Sequence, residues 1–246
     1  MKNAKKKLIQ FINFLLVPIH IQVRSAYLGG RLFPESFLHL KKVLKDPVPA
    51  TVIDVGVADG TPELWSAFPP AKYKYLLVEA NPAYAEKLKD FGTKMNAVVE
   101  QVFCGDHDGI ESFITDTAYD SGKASKYSRK VGGGETRSNI PSLKLDTIVK
   151  RHSLPHPYIL KIDVEGAELD VLRGATEVLT HTEAIIIETP IVLRKEGASS
   201  FGEIVSFLHQ RGFAIFDIAE MSYHQKTGFL NLANAIFVKE KNPFWN

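Results

Sequence analysis

From about residue 50 onward, short apolar runs alternate with helix-like stretches, and this alternation limits the chain to few architectures. "TVIDV" (51–55), "YKYLLVEA" (73–80), "NAVVEQVFC" (96–104), "YILKIDV" (158–164) and "EAIIIET" (183–189) read as strands. A helix near 62–68 takes Thr61 as its cap and Pro62 as its first residue. "NPAYAEKLKDF" repeats the device with Asn81 and Pro82. "SLKLDTIVKRH" and "GAELDVLRGATEVLT" read as helices, and "GIESFI" as a short strand joined to the third. The helix "SFGEIVSFLHQRG" and the strands "FAIFDI" and "NAIFVKE" follow. Such a chain predicts an α/β fold, a mostly parallel sheet with helices on both faces. Right-handed crossovers then bring the strand C-termini to one edge, where ligands of these sheets bind.

Four of the strands end in an acid: Asp54, Glu79, Asp163 and Glu188. After the first, the chain turns through Gly56 and Gly60, residues without a Cβ that let a ligand approach the backbone. N–H groups at the start of the next helix favour negative charge. The spacing is Gly56-x-x-x-Gly60, without the third glycine of a dinucleotide site, and Glu63 in the first turn repels a pyrophosphate. This disfavours NAD and an oxidoreductase, and favours a ligand made of a nucleoside and one small carboxylate. Glu79, at the end of the second strand, is placed to accept hydrogen bonds from both hydroxyls of a ribose.

"VIDVGVADG", "LLVEANP", "LKLDTIV", "LKIDVEGAELDVLRGA" and "AIIIETP", in this order, resemble the successive motifs of the FkbM-type methyltransferases, over about residues 51–217. The resemblance implies the class I methyltransferase (Rossmann-like) fold, with a sheet of order 3-2-1-4-5-7-6 and one antiparallel strand. It implies S-adenosylmethionine (SAM) as cofactor and methyl transfer to a hydroxyl of a sugar, a glycolipid or a natural-product intermediate. Asp54, Gly56, Gly60 and Glu79 then hold the cofactor, with Asp106 or Asp108 as the acid near the adenine. Asp59 departs from the family's usual loop: it either pairs with the cofactor's ammonium or weakens carboxylate binding. Asp163 is expected to orient cofactor or substrate, with Glu165 or Glu188 as the base; Glu168 reads as favourable charge at a helix N-terminus. Alternatively Asp163 and Glu188 hold Mg²⁺ through hard oxygen ligands. A SAM-binding module without catalysis, and methylation of protein or RNA, are the rival readings.

Near-neutral charge, net +2, and the lack of an aromatic-basic RNA motif argue against a nucleic-acid partner. The single cysteine, Cys104, excludes an internal disulfide and a Cys-based zinc cluster, and fits a cytoplasmic protein. Residues 1–45 are expected to form an amphipathic helical extension and 46–246 the methyltransferase domain. "MKNAKKKLIQFINFLLVPIHI" is basic and then apolar, but Gln10, Asn13 and Pro18 interrupt it. It suits a helix packed on the protein or lying on an anionic membrane surface better than a secretory signal. Within the domain, residues 119–142 lack apolar periodicity and carry five basic residues against two acids. They are expected to form a lid loop that meets an anionic acceptor.

Overall fold

The alternation resolves into one large twisted sheet, a smaller second sheet and helices on both faces of the first. The computed structural model describes residues 28–29, 33–44, 48–116, 124–125, 135–192 and 197–240. In chain order the elements are β1 (Leu28–Gly29), α1 (Phe33–Val43), β2 (Thr51–Val55), α2 (Pro62–Ala67), β3 (Lys74–Val78), a 3₁₀ turn (Pro82–Tyr84) and α3 (Ala85–Met95). Next come β4 (Val98–Glu100), β5 (Phe103–Gly105), β6 (Gly109–Asp116), β7 (Ala124–Ser125), β8 (Glu135–Lys144), α4 (Leu145–Arg151) and β9 (Tyr158–Ile162). The rest are α5 (Glu168–Arg173), α6 (Thr176–Thr180), β10 (Thr182–Pro190), α7 (Phe201–His209), β11 (Phe213–Tyr223) and β12 (Leu230–Lys239).

The large sheet runs β1-β11-β12-β10-β9-β2-β3-β4. Leaving aside β1, this is the expected order 3-2-1-4-5-7-6 read from the other edge. β12 is antiparallel to both β10 and β11. A second antiparallel strand, β1, adds to the outer side of β11, which the single-antiparallel expectation had not included. The apolar runs bury both faces of the central strands. Ile53, Val55, Leu160, Ile162, Ile185 and Ile187 point to one side, under α4 to α7. Val52, Leu77, Ile159, Ala184 and Ile186 point to the other, under α1 to α3. Helix α1 packs Phe37 and Leu40 into this second core, with Phe37 edge-on to Phe68, and Ser36 donates to Asp217 on β11. Phe33–Val43 thus belongs to the main body, where an extension had been expected. Residues 1–27, with the proposed membrane-binding stretch, lie outside the described residues. Among the described residues no helix is long and apolar enough to cross a membrane.

Three local expectations are corrected. The third predicted strand splits: β4 stays in the large sheet, while β5 leaves it for the second sheet, β5-β8-β6-β7. Residues 135–142, expected within the lid, are strand paired with β6, and Ala124–Ser125 also pair with it; the rest of that stretch lies outside the described residues. The single helix expected after β9 breaks into α5 and α6 at Gly174. A Cβ on Gly174 would lie 2.0 Å from the Gly105 carbonyl oxygen, so the break lets β5 lie against the helix end. Cys104, in β5, is buried in the first core.

Candidate active site

The C-terminal ends of β2, β3, β9 and β10 meet at one edge, and the structure brings Asp54, Glu79, Asp163 and Glu188 there. Their environments differ. Asp54 is fully buried. One of its oxygens, Oδ2, accepts hydrogen bonds from the Thr61 hydroxyl and from Trp65 Nε1, the latter at 3.2 Å. Thr61 therefore spends its hydroxyl on Asp54 and does not cap the helix as expected. The other oxygen, Oδ1, has no hydrogen-bond partner and lies 3.5 Å from Lys161 Nζ. Asp54 ties the loop to the strands and does not present a free face to a ligand.

The loop glycines also work inward. Gly56 has φ +84°, and a Cβ there would meet the Asp163 carbonyl oxygen at 1.8 Å, so the missing side chain makes room for the neighbouring strand end. At Gly60 (φ +97°) a Cβ would press on the Trp65 ring at 2.7 Å. Gly56 and Val57 donate their N–H groups to the Val78 carbonyl, and Gly60 donates to Val57. The Ala58 N–H goes to Glu79 Oε2. The loop's donors Gly56, Val57, Ala58 and Gly60 are thus engaged within the protein. Asp59 pairs with Lys87 on the surface.

Glu79 joins the loop to the turn after β3: Oε2 accepts from Ala58 at 2.8 Å and Oε1 from Asn81 at 2.7 Å. Burial raises its pKa, with the two backbone bonds pulling the other way. Gln101, just beyond β4, donates to the Glu79 carbonyl at 2.7 Å. Its own Oε1 is buried without a partner. Phe103 and Ala167, with Ala80 and Val164 beside them, form an apolar cluster around this corner. A carboxylate, an unpaired buried acceptor and an apolar wall suit a ribose, an exocyclic amine and a base, so these residues fit the nucleoside half of SAM. Asp106 is not brought here. Its strand neighbour Gly105 lies against Gly174, at the far end of α5, and Asp106 pairs with His107 at 2.9 Å. Asp108 is engaged by the Lys144 N–H and the Thr147 hydroxyl.

The other half of the edge is a charge cluster around Lys161, a residue that sequence reasoning passed over. Its signal was a single charge inside the apolar strand "YILKIDV". The ammonium donates to the Gly56 carbonyl at 3.3 Å and to Asp163 Oδ2 at 3.3 Å. Burial alone would lower its pKa; Asp163, Asp54 and Glu188 outweigh that and hold it above the ordinary lysine range. Glu188 goes the opposite way. Burial, the Asp163 charge and a hydrogen bond with Asp163 push its carboxyl well above the usual range. The strand register sets Asn234 of β12 directly opposite Glu188, and Asn234 is buried.

Glu165 sits in the turn after β9 with φ +57°. Glu168 is no solvated helix-end charge: it is buried, accepts from the Gly166 N–H at 2.9 Å and leaves Oε2 without a partner. Burial raises its pKa from 4.5 to about 7. Among the described residues no group of three or more His, Cys, Asp and Glu is arranged to hold a metal ion. The Lys161 ammonium stands where a cation shared by these acids would be, so this donor set does not suit Mg²⁺.

Comparison with known proteins gives the following. The model of the methyltransferase FkbM domain matches residues 54–215. Hexuronic acid methyltransferase AglP from Haloferax volcanii is 37% identical over 54 residues, which are 22% of this chain and 23% of that protein. The match therefore spans under a quarter of that relative. Among solved structures, TehB from Haemophilus influenzae superimposes with a TM-score of 0.42 at 10% identity, over 82% of this chain and 61% of that one. The magnesium protoporphyrin IX methyltransferase (ChlM) from Synechocystis PCC 6803, solved with bound SAM, gives a TM-score of 0.41 at 12% identity, over 84% and 79%.

Proposed function

Because the chain belongs to the FkbM methyltransferases, enzymes that use SAM, we propose that it moves a methyl group to a hydroxyl of a sugar or glycolipid. The acceptor class has one support beyond the family, the short match to a hexuronic acid methyltransferase. The chemistry has a firmer one: the hydrogen-bonded acids Asp163 and Glu188 beside the buried Lys161, at the edge where the strands end. When bound, the cofactor supplies a methyl carbon on a positive sulfonium, and the carbon–sulfur bond breaks as the acceptor oxygen bonds to that carbon.

On this reading Glu79 accepts from the ribose hydroxyls and the Gln101 Oε1 from the adenine amine. Gly56, Gly60 and Asp54 act indirectly, by fixing the loop. Most of the rate acceleration comes from alignment of the hydroxyl with the methyl. The proton that leaves the hydroxyl needs an acceptor, and Asp163, at 32% side-chain exposure, is both reachable and hydrogen-bonded. A peripheral membrane contact through the N-terminal stretch and a cytoplasmic location complete the proposal.

Methyl-labelled SAM offered with extracted glycans, lipids, proteins and RNA in separate reactions tests the acceptor class. Label in a sugar-containing product supports the reading. Label confined to protein or RNA overturns it.

A further inference from the structure

We propose that Lys161 is a positioning residue that assigns the roles in the Asp163–Glu188 pair: Asp163 receives the acceptor's proton and Glu188 serves as its hydrogen-bond donor. This rests on the methyl-transfer reading above and deepens it by giving the base's role to Asp163, where the sequence had pointed to Glu165 or Glu188.

The argument is geometric. Lys161 Nζ is 3.3 Å from Asp163 Oδ2 and 3.5 Å from Asp54 Oδ1, and its side chain is only 8% exposed. A third contact, 3.3 Å to the Gly56 carbonyl, holds the ammonium against the loop, beside Asp163. The Asp163 N–H is also held, donating to the Val55 carbonyl at 2.9 Å. A fixed cation next to one member of an acid pair favours the charge on that member. The proton of the pair then stays on Glu188. Among the described residues, the charged groups around the pair are Lys161 on the strand of Asp163, Asp54 on β2, Glu79 after β3, Glu188 on β10, and Glu165 and Glu168 after β9. Lys161 is the single cation among these six, so no other one of them can make the choice.

In the reaction the acceptor's O–H bond breaks. Its proton goes to Asp163, and the oxygen's electron pair forms the new bond to carbon. Sulfur departs with the pair from the broken carbon–sulfur bond. Glu188 keeps its proton and steadies the Asp163 carboxylate; no further reactant is needed.

Carbon-13 NMR of the side-chain carboxyls in the full chain, free of cofactor, tests the assignment. Glu188→Gln and Asp163→Asn identify the two signals. Near neutral pH, Asp163 is expected ionised and Glu188 protonated; the reverse in the unaltered protein overturns the proposal without any lysine variant. In Lys161→Met the Asp163 midpoint should rise by about one pH unit or more, a tenfold change in proton affinity. In Lys161→Arg, which keeps the charge, it should stay within a few tenths of a unit. A folded Lys161→Met with an unmoved midpoint also overturns the proposal. Calorimetry with S-adenosylhomocysteine is read separately: if the unaltered protein does not bind it, the cofactor reading fails while the proton assignment is judged on its own data.

Discussion

The two halves of the ligand edge are held by different forces. On the side of β2, β3 and β4, backbone bonds do the holding: Gly56, Val57 and Ala58 donate to Val78 and Glu79, and Gln101 donates to Glu79. On the side of β9 and β10 the geometry depends on charge, with Lys161 among Asp54, Asp163 and Glu188. The first half is therefore sensitive to shape, with Glu79 as its titratable joint. The second tolerates small changes of shape but answers to any change of charge. Cofactor recognition can be rigid, while the chemistry needs a group whose proton can move.

The sharpest test strikes the charged half. Asp163→Asn should lower kcat by about 10²–10⁴-fold, the usual worth of a positioned base, with S-adenosylhomocysteine affinity nearly kept. Glu188→Gln retains a hydrogen-bond donor and should lose about tenfold or less. Treatment with EDTA should leave the rate unchanged. Equal losses in the two variants, or recovery only on adding Mg²⁺, would erase the distinction between the two acids.

On the backbone half, Gly56→Ala should cost about 3–5 kcal/mol of stability, because the added Cβ meets the Asp163 carbonyl and the backbone is left-handed there. Urea denaturation measures it. A variant as stable as the parent would show that the loop is looser than its hydrogen bonds imply. Glu79→Ala should weaken S-adenosylhomocysteine by about 1–3 kcal/mol, since it also strands the Ala58 and Asn81 donors. Methylthioadenosine should lose as much. A loss confined to the larger ligand would move Glu79 to the amino-acid end of the site.

The smallest effect concerns Glu168, whose carboxyl is raised from 4.5 to about 7. A carboxyl raised in the folded state takes up a proton on folding. Its favourable contribution is complete below pH 4.5 and is lost as pH rises through about 7. Glu168→Gln should flatten that loss and stabilise the protein above neutrality by about 1–2 kcal/mol. An unchanged slope of stability against pH would place the titration elsewhere, with Glu188 next in line.

The α/β character of the fold could be read ahead of the structure because apolar strands and polar turns alternate cleanly, while the order of the sheet was implied by the resemblance to the FkbM motifs. The acids Asp54, Glu79, Asp163 and Glu188 could be read because each closes an apolar run. What each acid does could not. Asp54 and Glu79 look alike in sequence, yet one is consumed by Thr61 and Trp65 and the other by backbone donors. Those partners come from the segments beyond the strand ends, whose paths no local pattern fixes. β5 leaves the main sheet and lies against Gly174, some 70 residues onward, a contact that no local pattern announces. Gln101 carried no signal at all, since an amide gains meaning only when burial leaves one of its atoms unpaired.

Cys104 turns that departure into something measurable. It is the chain's only thiol, it is fully buried, and burial drives its pKa far above the ordinary cysteine range. Neither a modifying reagent nor an oxidant can react with it while β5 stays seated. The rate of alkylation under native conditions is thus a built-in clock for the parting of β5 from α5, timed with no label added and no residue changed.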